Sequence, residues 1–132
     1  NRADSISLQK LGAARLDLVQ RRYDRAVERL LAVEGSTAME ARFTLIEAYR
    51  LSGRANAAVP VCEALLQDDR CRTPDRVLMA LAGLYESELR HPEEARKKYE
   101  TLLEKYPQSI YIEEARLRVR QLDQQLNQRS VF

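Results

Sequence analysis

A spaced set of residues recurs along this chain: Tyr49, Ala58, Cys62 and Leu65 are echoed by Tyr85, Ala95, Tyr99 and Leu102. The last three steps also fit Ala26, Leu30 and Val33. Self-similarity at a period of roughly 30 to 40 residues implies stacked supersecondary units, each burying its apolar face only against the next. Units of this kind present extended surfaces more readily than they enclose catalytic centres.

Composition narrows the material from which the units are made. With 132 residues and 45% apolar content the chain is long enough for one domain with a real core. Charged residues reach 32%, while four Gly and four Pro leave little for strands and tight turns, so the balance favours helix. The absence of Trp leaves a core of Leu, Ala, Val and Tyr, which suits close helix packing. The apolar runs are too short to cross a bilayer, and direct membrane insertion is not expected. The 22 basic residues are interleaved with 20 acidic ones for a net charge of +2. That is no strong field for nucleic acid or anionic lipid. The chain opens on Asn1 rather than Met, as expected of a processed product or a piece of a longer protein.

Apolar spacing and punctuation place seven helices. Leu8, Leu11, Leu16, Leu18 and Val19 form the first stripe, and Tyr23, Ala26, Val27, Leu30, Leu31 and Val33 the second. Thr37, three before Glu40, reads as a capping box opening a third helix that stops at Ser52-Gly53, where glycine suits a left-handed cap. The fourth helix, Ala55 to Asp68, contains Pro60, which predicts a bend or a late start. Thr73 and Pro74 read as cap and first position of a fifth helix, Asp75 to about Leu89. His91-Pro92 restarts the chain as Glu93 to Tyr106, with acidic residues first and lysines later, as the helix dipole favours. In the seventh helix Ala115, Val119, Leu122 and Leu126 share one face. Short links between these helices imply antiparallel neighbours.

Counting alanine to alanine gives 32 residues from Ala26 to Ala58 and 37 from Ala58 to Ala95, bracketing the 34-residue period of one known family. With Leu78, Leu81, Ala82, Tyr85, Ala95, Tyr99, Leu102 and Pro107 in register, the chain resembles the tetratricopeptide repeat family. The second unit matches at Leu45, Ile46, Tyr49, Gly53, Ala58, Cys62 and Leu65, but has Arg42 at an apolar position and lacks a closing proline. The first matches at Ala14, Tyr23, Ala26, Leu30 and Val33, with Asp17 where the tyrosine belongs. The resemblance implies an all-α, right-handed solenoid of antiparallel helical hairpins. Its repeats would lie near 7–36, 37–72 and 73–108, with a capping helix at 109–129. The small alanines mark the closest crossing of paired helices, where a larger side chain would overpack. The segment Tyr106-Pro107-Gln108-Ser109-Ile110-Tyr111, followed by Glu114-Ala115, looks like the repeat junctions of bacterial cell-envelope proteins of this family, of the Tol-Pal accessory and outer-membrane-assembly lipoprotein types. That similarity favours the periplasm or cell envelope over the cytoplasm.

Chemistry is weakly represented. There is one His, no glycine-rich phosphate loop and no HExxH or nucleophile-elbow motif, so no catalytic, metal or cofactor residues are assigned and no enzyme is expected. His91, before Pro92, reads as a turn or capping residue. Cys62 reads as a buried structural thiol, with a disulfide to Cys71 as the alternative. Arg21, Arg22, Arg25 and Arg29 form one basic patch and Arg116, Arg118 and Arg120 another, both read as solvated faces diluted by acidic neighbours.

By resemblance, partners lie in a concave groove lined by the first helix of each hairpin. Register then assigns Glu40, Phe43, Glu47 and Arg50 in the second unit. Arg76, Met79, Gly83 and Glu86 follow in the third, and Glu113, Arg116 and Arg120 in the last helix. Mixed charges around Phe43 and Met79 suit a peptide or helical segment of another protein with an apolar anchor. The expectation is a non-enzymatic interaction scaffold in an envelope or export assembly. The alternative is a self-association module, a homo-oligomer paired through the last helix.

Overall fold

The computed structural model describes residues 2–131. The described residues are all-helical, with no strand among them. Seven α-helices follow in order: α1 (Arg2–Val19), α2 (Tyr23–Leu31), α3 (Ala38–Leu51), α4 (Ala55–Gln67), α5 (Pro74–Gly83), α6 (Pro92–Lys105) and α7 (Ile112–Val131). A 3-10 turn, Gly35–Thr37, precedes α3, and a π-helical segment, Leu84–Glu88, continues α5. No helix is long and apolar enough to cross a membrane. The chain divides into two compact units, Asn1–Val61 and Cys62–Phe132.

In the N-terminal unit α1 packs on α2 and α2 on α3. The core joins Leu11 and Ala14 to Ala26, Val27, Leu30 and Val33, and to Ala41, Leu45 and Ala48. This corrects the face assigned to the first helix. Leu8, Leu16 and Val19 are exposed, while Ser7, Leu11, Ala14 and Asp17 are buried. Two polar residues can sit inside because each finds a partner: Ser7 Oγ donates to the Glu34 carbonyl at 2.8 Å, and Arg29 Nη1 donates to Asp17 Oδ2 at 2.9 Å. A buried polar group that is bonded loses most of its desolvation penalty.

In the C-terminal unit α5 packs on α6 and α6 on α7. Leu78 and Ala82 meet Ala95, Tyr99 and Leu102, and then Ala115 and Leu122. Here the face read for the last helix is the one buried: Ala115 and Leu122 are inaccessible, with Val119 packed beside them. Arg96 Nε donates to Asp123 and Arg96 Nη1 pairs with Glu100 at 3.0 Å, tying α6 to α7 along the edge of this core.

Each helix pair turns in a related way. After α1 the Arg22 amide donates to the Asp17 carbonyl at 2.7 Å, with Arg21 left-handed at φ 60°. After α3 the Arg54 amide donates to the Tyr49 carbonyl at 2.7 Å, with Gly53 at φ 75°. Both are six-to-one closures of the Schellman type. Before α6 the His91 amide reaches the Tyr85 carbonyl, also at 2.7 Å, with Arg90 at φ 55°. This third turn holds one residue more: Asp17 to Ala26 and Tyr49 to Ala58 are nine steps, Tyr85 to Ala95 ten. The π segment takes up the surplus, its Leu89 amide bonding to the Leu84 carbonyl at 2.9 Å. In every case an alanine with no exposed surface lies four residues beyond the closing amide: Ala26, Ala58 and Ala95.

Several expected caps differ. Thr37 ends the 3-10 turn and makes no side-chain cap bond, and its buried Oγ1 has no partner, so the capping box does not form. Thr73 likewise makes no cap bond, although Pro74 does open α5. Pro60 lies inside α4 without delaying its start at Ala55. The fifth helix does not run as α-helix to Leu89, because the π segment begins at Leu84.

Candidate partner-binding surface

In the N-terminal unit, α3 carries Glu40, Phe43, Glu47 and Arg50 at steps of three and four, which puts them on one face. Glu40 is exposed and the other three half-buried. Arg50 Nε donates to Glu47 Oε2 at 3.0 Å and its Nη2 to the second carboxylate oxygen. Arg50 is thus a paired charge beside Phe43 rather than an isolated cation.

In the C-terminal unit, Arg76 and Met79 lie on α5, Gly83 ends it and Glu86 sits in the π segment. Met79 packs on the core formed by Leu78, Ala82 and Tyr99. A Cβ added at Gly83 would meet nothing within 4 Å, so the glycine leaves that surface open without being required by internal packing. Glu86 is turned inward. Tyr99 donates its hydroxyl to Glu86 Oε1 at 3.0 Å, Arg118 Nε donates to the same oxygen at 3.1 Å, and Arg118 Nη2 pairs with Oε2. With its side chain 14% exposed, Glu86 joins the π segment to α6 and α7 rather than facing a ligand. On α7, Glu113, Arg116 and Arg120 are exposed, and Arg116 Nη1 donates to Glu113 Oε1 at 2.6 Å. The structure thus brings together Glu47 with Arg50 and Glu113 with Arg116, each within a single helix.

The basic patches are thinner than their sequence suggests. Arg29 is drawn to Asp17, Arg116 to Glu113 and Arg118 to Glu86. The Glu86, Tyr99 and Arg118 cluster escaped sequence reading because its members lie 13 and 32 residues from Glu86, at spacings that carry no helical or motif signal.

Titratable groups show the effect of burial. Desolvation, reinforced by the Glu63 carboxylate, pushes the Cys62 thiol up from 9.0 to about 12, which keeps it protonated. Burial, with Glu114 adding to it, raises the Tyr99 phenol from 10.0 to about 12. Cys62 and Cys71 are both free, so the disulfide alternative does not form. His91 stands at the N-cap of α6, its ring edge-on to Tyr85 at 6.4 Å between centroids, and serves the turn through its backbone amide. Among the described residues no cluster of three or more His, Cys, Asp or Glu is placed to hold a metal ion.

Comparison with known protein families, characterised proteins and solved structures gives no match. The surface must be read from its own chemistry. That chemistry is two short helical faces, each with a half-buried apolar side chain, Phe43 or Met79, among charged groups.

Proposed function

We propose that the chain is a non-enzymatic protein-interaction scaffold built of tetratricopeptide-like hairpins. It binds a peptide or helical segment of another protein through α3 in its N-terminal unit and through α5 and α7 in its C-terminal unit. The observation that carries the reading is the recurring turn. Three closures, at Arg22, Arg54 and His91, are each followed four residues later by an inaccessible alanine. Repeated hairpins of that kind are the building blocks of helical arrays that bind along the first helix of each pair. The junction from Tyr106 to Ala115 favours a place in a bacterial envelope or export assembly.

Phe43 and Met79 supply apolar anchors, and the flanking ion pairs set charge complementarity, which governs specificity and encounter more than affinity. Self-association through α7 is the less supported alternative, since α7 spends Ala115, Val119 and Leu122 on its own unit. The test is site-specific photo-crosslinking in native cells. A crosslinking residue at Glu40 or Arg120 is expected to trap one common partner, while the same residue at Lys97 or Glu104 on α6 traps none. Equal adducts at all four positions, or adducts only to a second copy of the chain, would overturn the reading.

A further inference from the structure

At the turn between α1 and α2 the N-terminal unit opens a cleft of about 650 Å³, lined by Arg21, Arg22, Arg25 and Arg54 together with Tyr23, Asp24 and Ser52. Four guanidinium groups face one carboxylate there, a local charge of +3 in a chain whose total is +2. Such a concentration needs its own account.

Arg54 has three partners around the cleft. Its Nε donates to Ser52 Oγ at 3.1 Å, its Nη2 donates to Asp24 Oδ1 at 3.1 Å, and the guanidinium lies 5.4 Å over the Tyr49 ring. That arrangement engages the cleft's lone carboxylate and leaves further donors of Arg54 for a ligand, since a guanidinium carries five N–H groups. Arg29 of α2 is diverted to Asp17. Arg21, Arg22 and Arg25, by contrast, are exposed and form no ion pair among the described residues. The cleft also receives the start of α2, whose N-cap residue Arg22 makes no side-chain cap bond. The first-turn amides therefore add to the positive field.

We propose that this cleft docks an acidic peptide segment of a partner protein, one with several consecutive carboxylates. The cleft is open rather than enclosing, so a small anion would be held on one side only. Several guanidiniums spread from Arg21 to Arg54 match a row of carboxylates better than one charge, because each forms charge-assisted, fork-like pairs. The Tyr49 ring is covered by the Arg54 guanidinium, and Tyr23 is the aromatic side chain that lines the cleft. The cleft shares no lining residue with the candidate faces on α3, α5 and α7, and the proposal is independent of them.

The experiment is fluorescence anisotropy of the whole chain with a labelled hexaglutamate peptide, with hexathymidylate and inorganic phosphate as competitors. Arg21→Glu with Arg25→Glu is expected to weaken peptide binding at least about tenfold. Lys97→Glu with Lys105→Glu, the same charge change on α6, is expected to alter it less than about twofold. The variant Arg21→Gly guards against misfolding: at φ 60° glycine fits the turn, so its melting temperature holds while peptide affinity falls. Equal weakening by both charge reversals, undiminished binding after Arg21→Gly, no binding by the native chain, or displacement by hexathymidylate or phosphate at lower concentration than by unlabelled peptide would each overturn the proposal.

Discussion

The turn from α3 to α4 and the turn from α5 to α6 solve one problem with different residues. Both bring an amide back to a tyrosine carbonyl, Tyr49 or Tyr85, and both set an inaccessible alanine four residues further on. The first does so with Gly53, which takes φ 75° at little steric cost. The second carries one more residue, widens its helix into a π turn at Leu84–Glu88, and places Arg90 at φ 55°. The lesson is that the step from closing amide to inaccessible alanine is the same in the two, and the helix preceding the second turn takes up the extra residue. Packing around a fully buried alanine tolerates less change than hydrogen-bond register at a helix end.

The sharpest way to break that comparison is to enlarge the fixed point. Ala95→Leu and Ala58→Leu should each destabilise by about 1 to 3 kcal/mol, seen as a lower urea midpoint, because neither site has any exposed surface to expand into. Equal stability would show that the crossings are loose. A deletion distinguishes the yielding part from the fixed one. Removing Ser87 restores the nine-residue spacing and should cost less than about 1 kcal/mol. Removing Thr44 from α3 rotates Leu45, Ile46 and Ala48 off the core and should cost several times more, at about 3 kcal/mol or above. Thermal melts of the two deletions read the difference directly.

Glu86→Ala tests whether the π turn is held by its cluster. It leaves the Tyr99 hydroxyl and Arg118 without their acceptor and should cost about 1 to 2 kcal/mol. The same substitution at Glu47, half-exposed on α3 and paired only within its helix, should cost about 0.5 kcal/mol or less. The turn residues themselves should respond with opposite signs. Gly53→Ala should lower stability by about 1 kcal/mol and Arg90→Gly raise it by a few tenths, about 0.3 kcal/mol, since only the former forces a Cβ into the left-handed region.

Alkaline pH offers an orthogonal check on burial in the C-terminal unit. The folded chain holds the Cys62 proton to about 12, whereas the unfolded thiol releases it near 9.0. Unfolding therefore releases a proton between those values, and stability falls as pH rises through that window. Tyr99, raised from 10.0 to about 12, acts in the same sense. Denaturant midpoints measured from pH 8 to 11 should decline, and Cys62→Ala should make the decline shallower. Ellman reagent should label Cys71 in the folded chain and both thiols only after unfolding.

The sequence alone determined that the chain is helical, and it located seven helices and the glycine turn at Gly53. It also placed the buried face of the last helix and singled out the alanines that prove inaccessible. These are local or periodic properties: a 3.6-residue repeat of apolar side chains, a proline at a helix start and a glycine at its end are all written in neighbouring residues. Only the tertiary structure decided which side of α1 is buried. Apolar counting favoured Leu8, Leu16 and Val19, while Ser7 and Asp17 go inside because Glu34 and Arg29 come to meet them. Nor could spacing reveal that Glu86 is held by Tyr99 and Arg118, or that Arg54 pairs with Asp24 at the arginine-lined cleft. A polar side chain's environment is fixed by partners 12 to 32 residues away, and such pairings exist only once helices have packed.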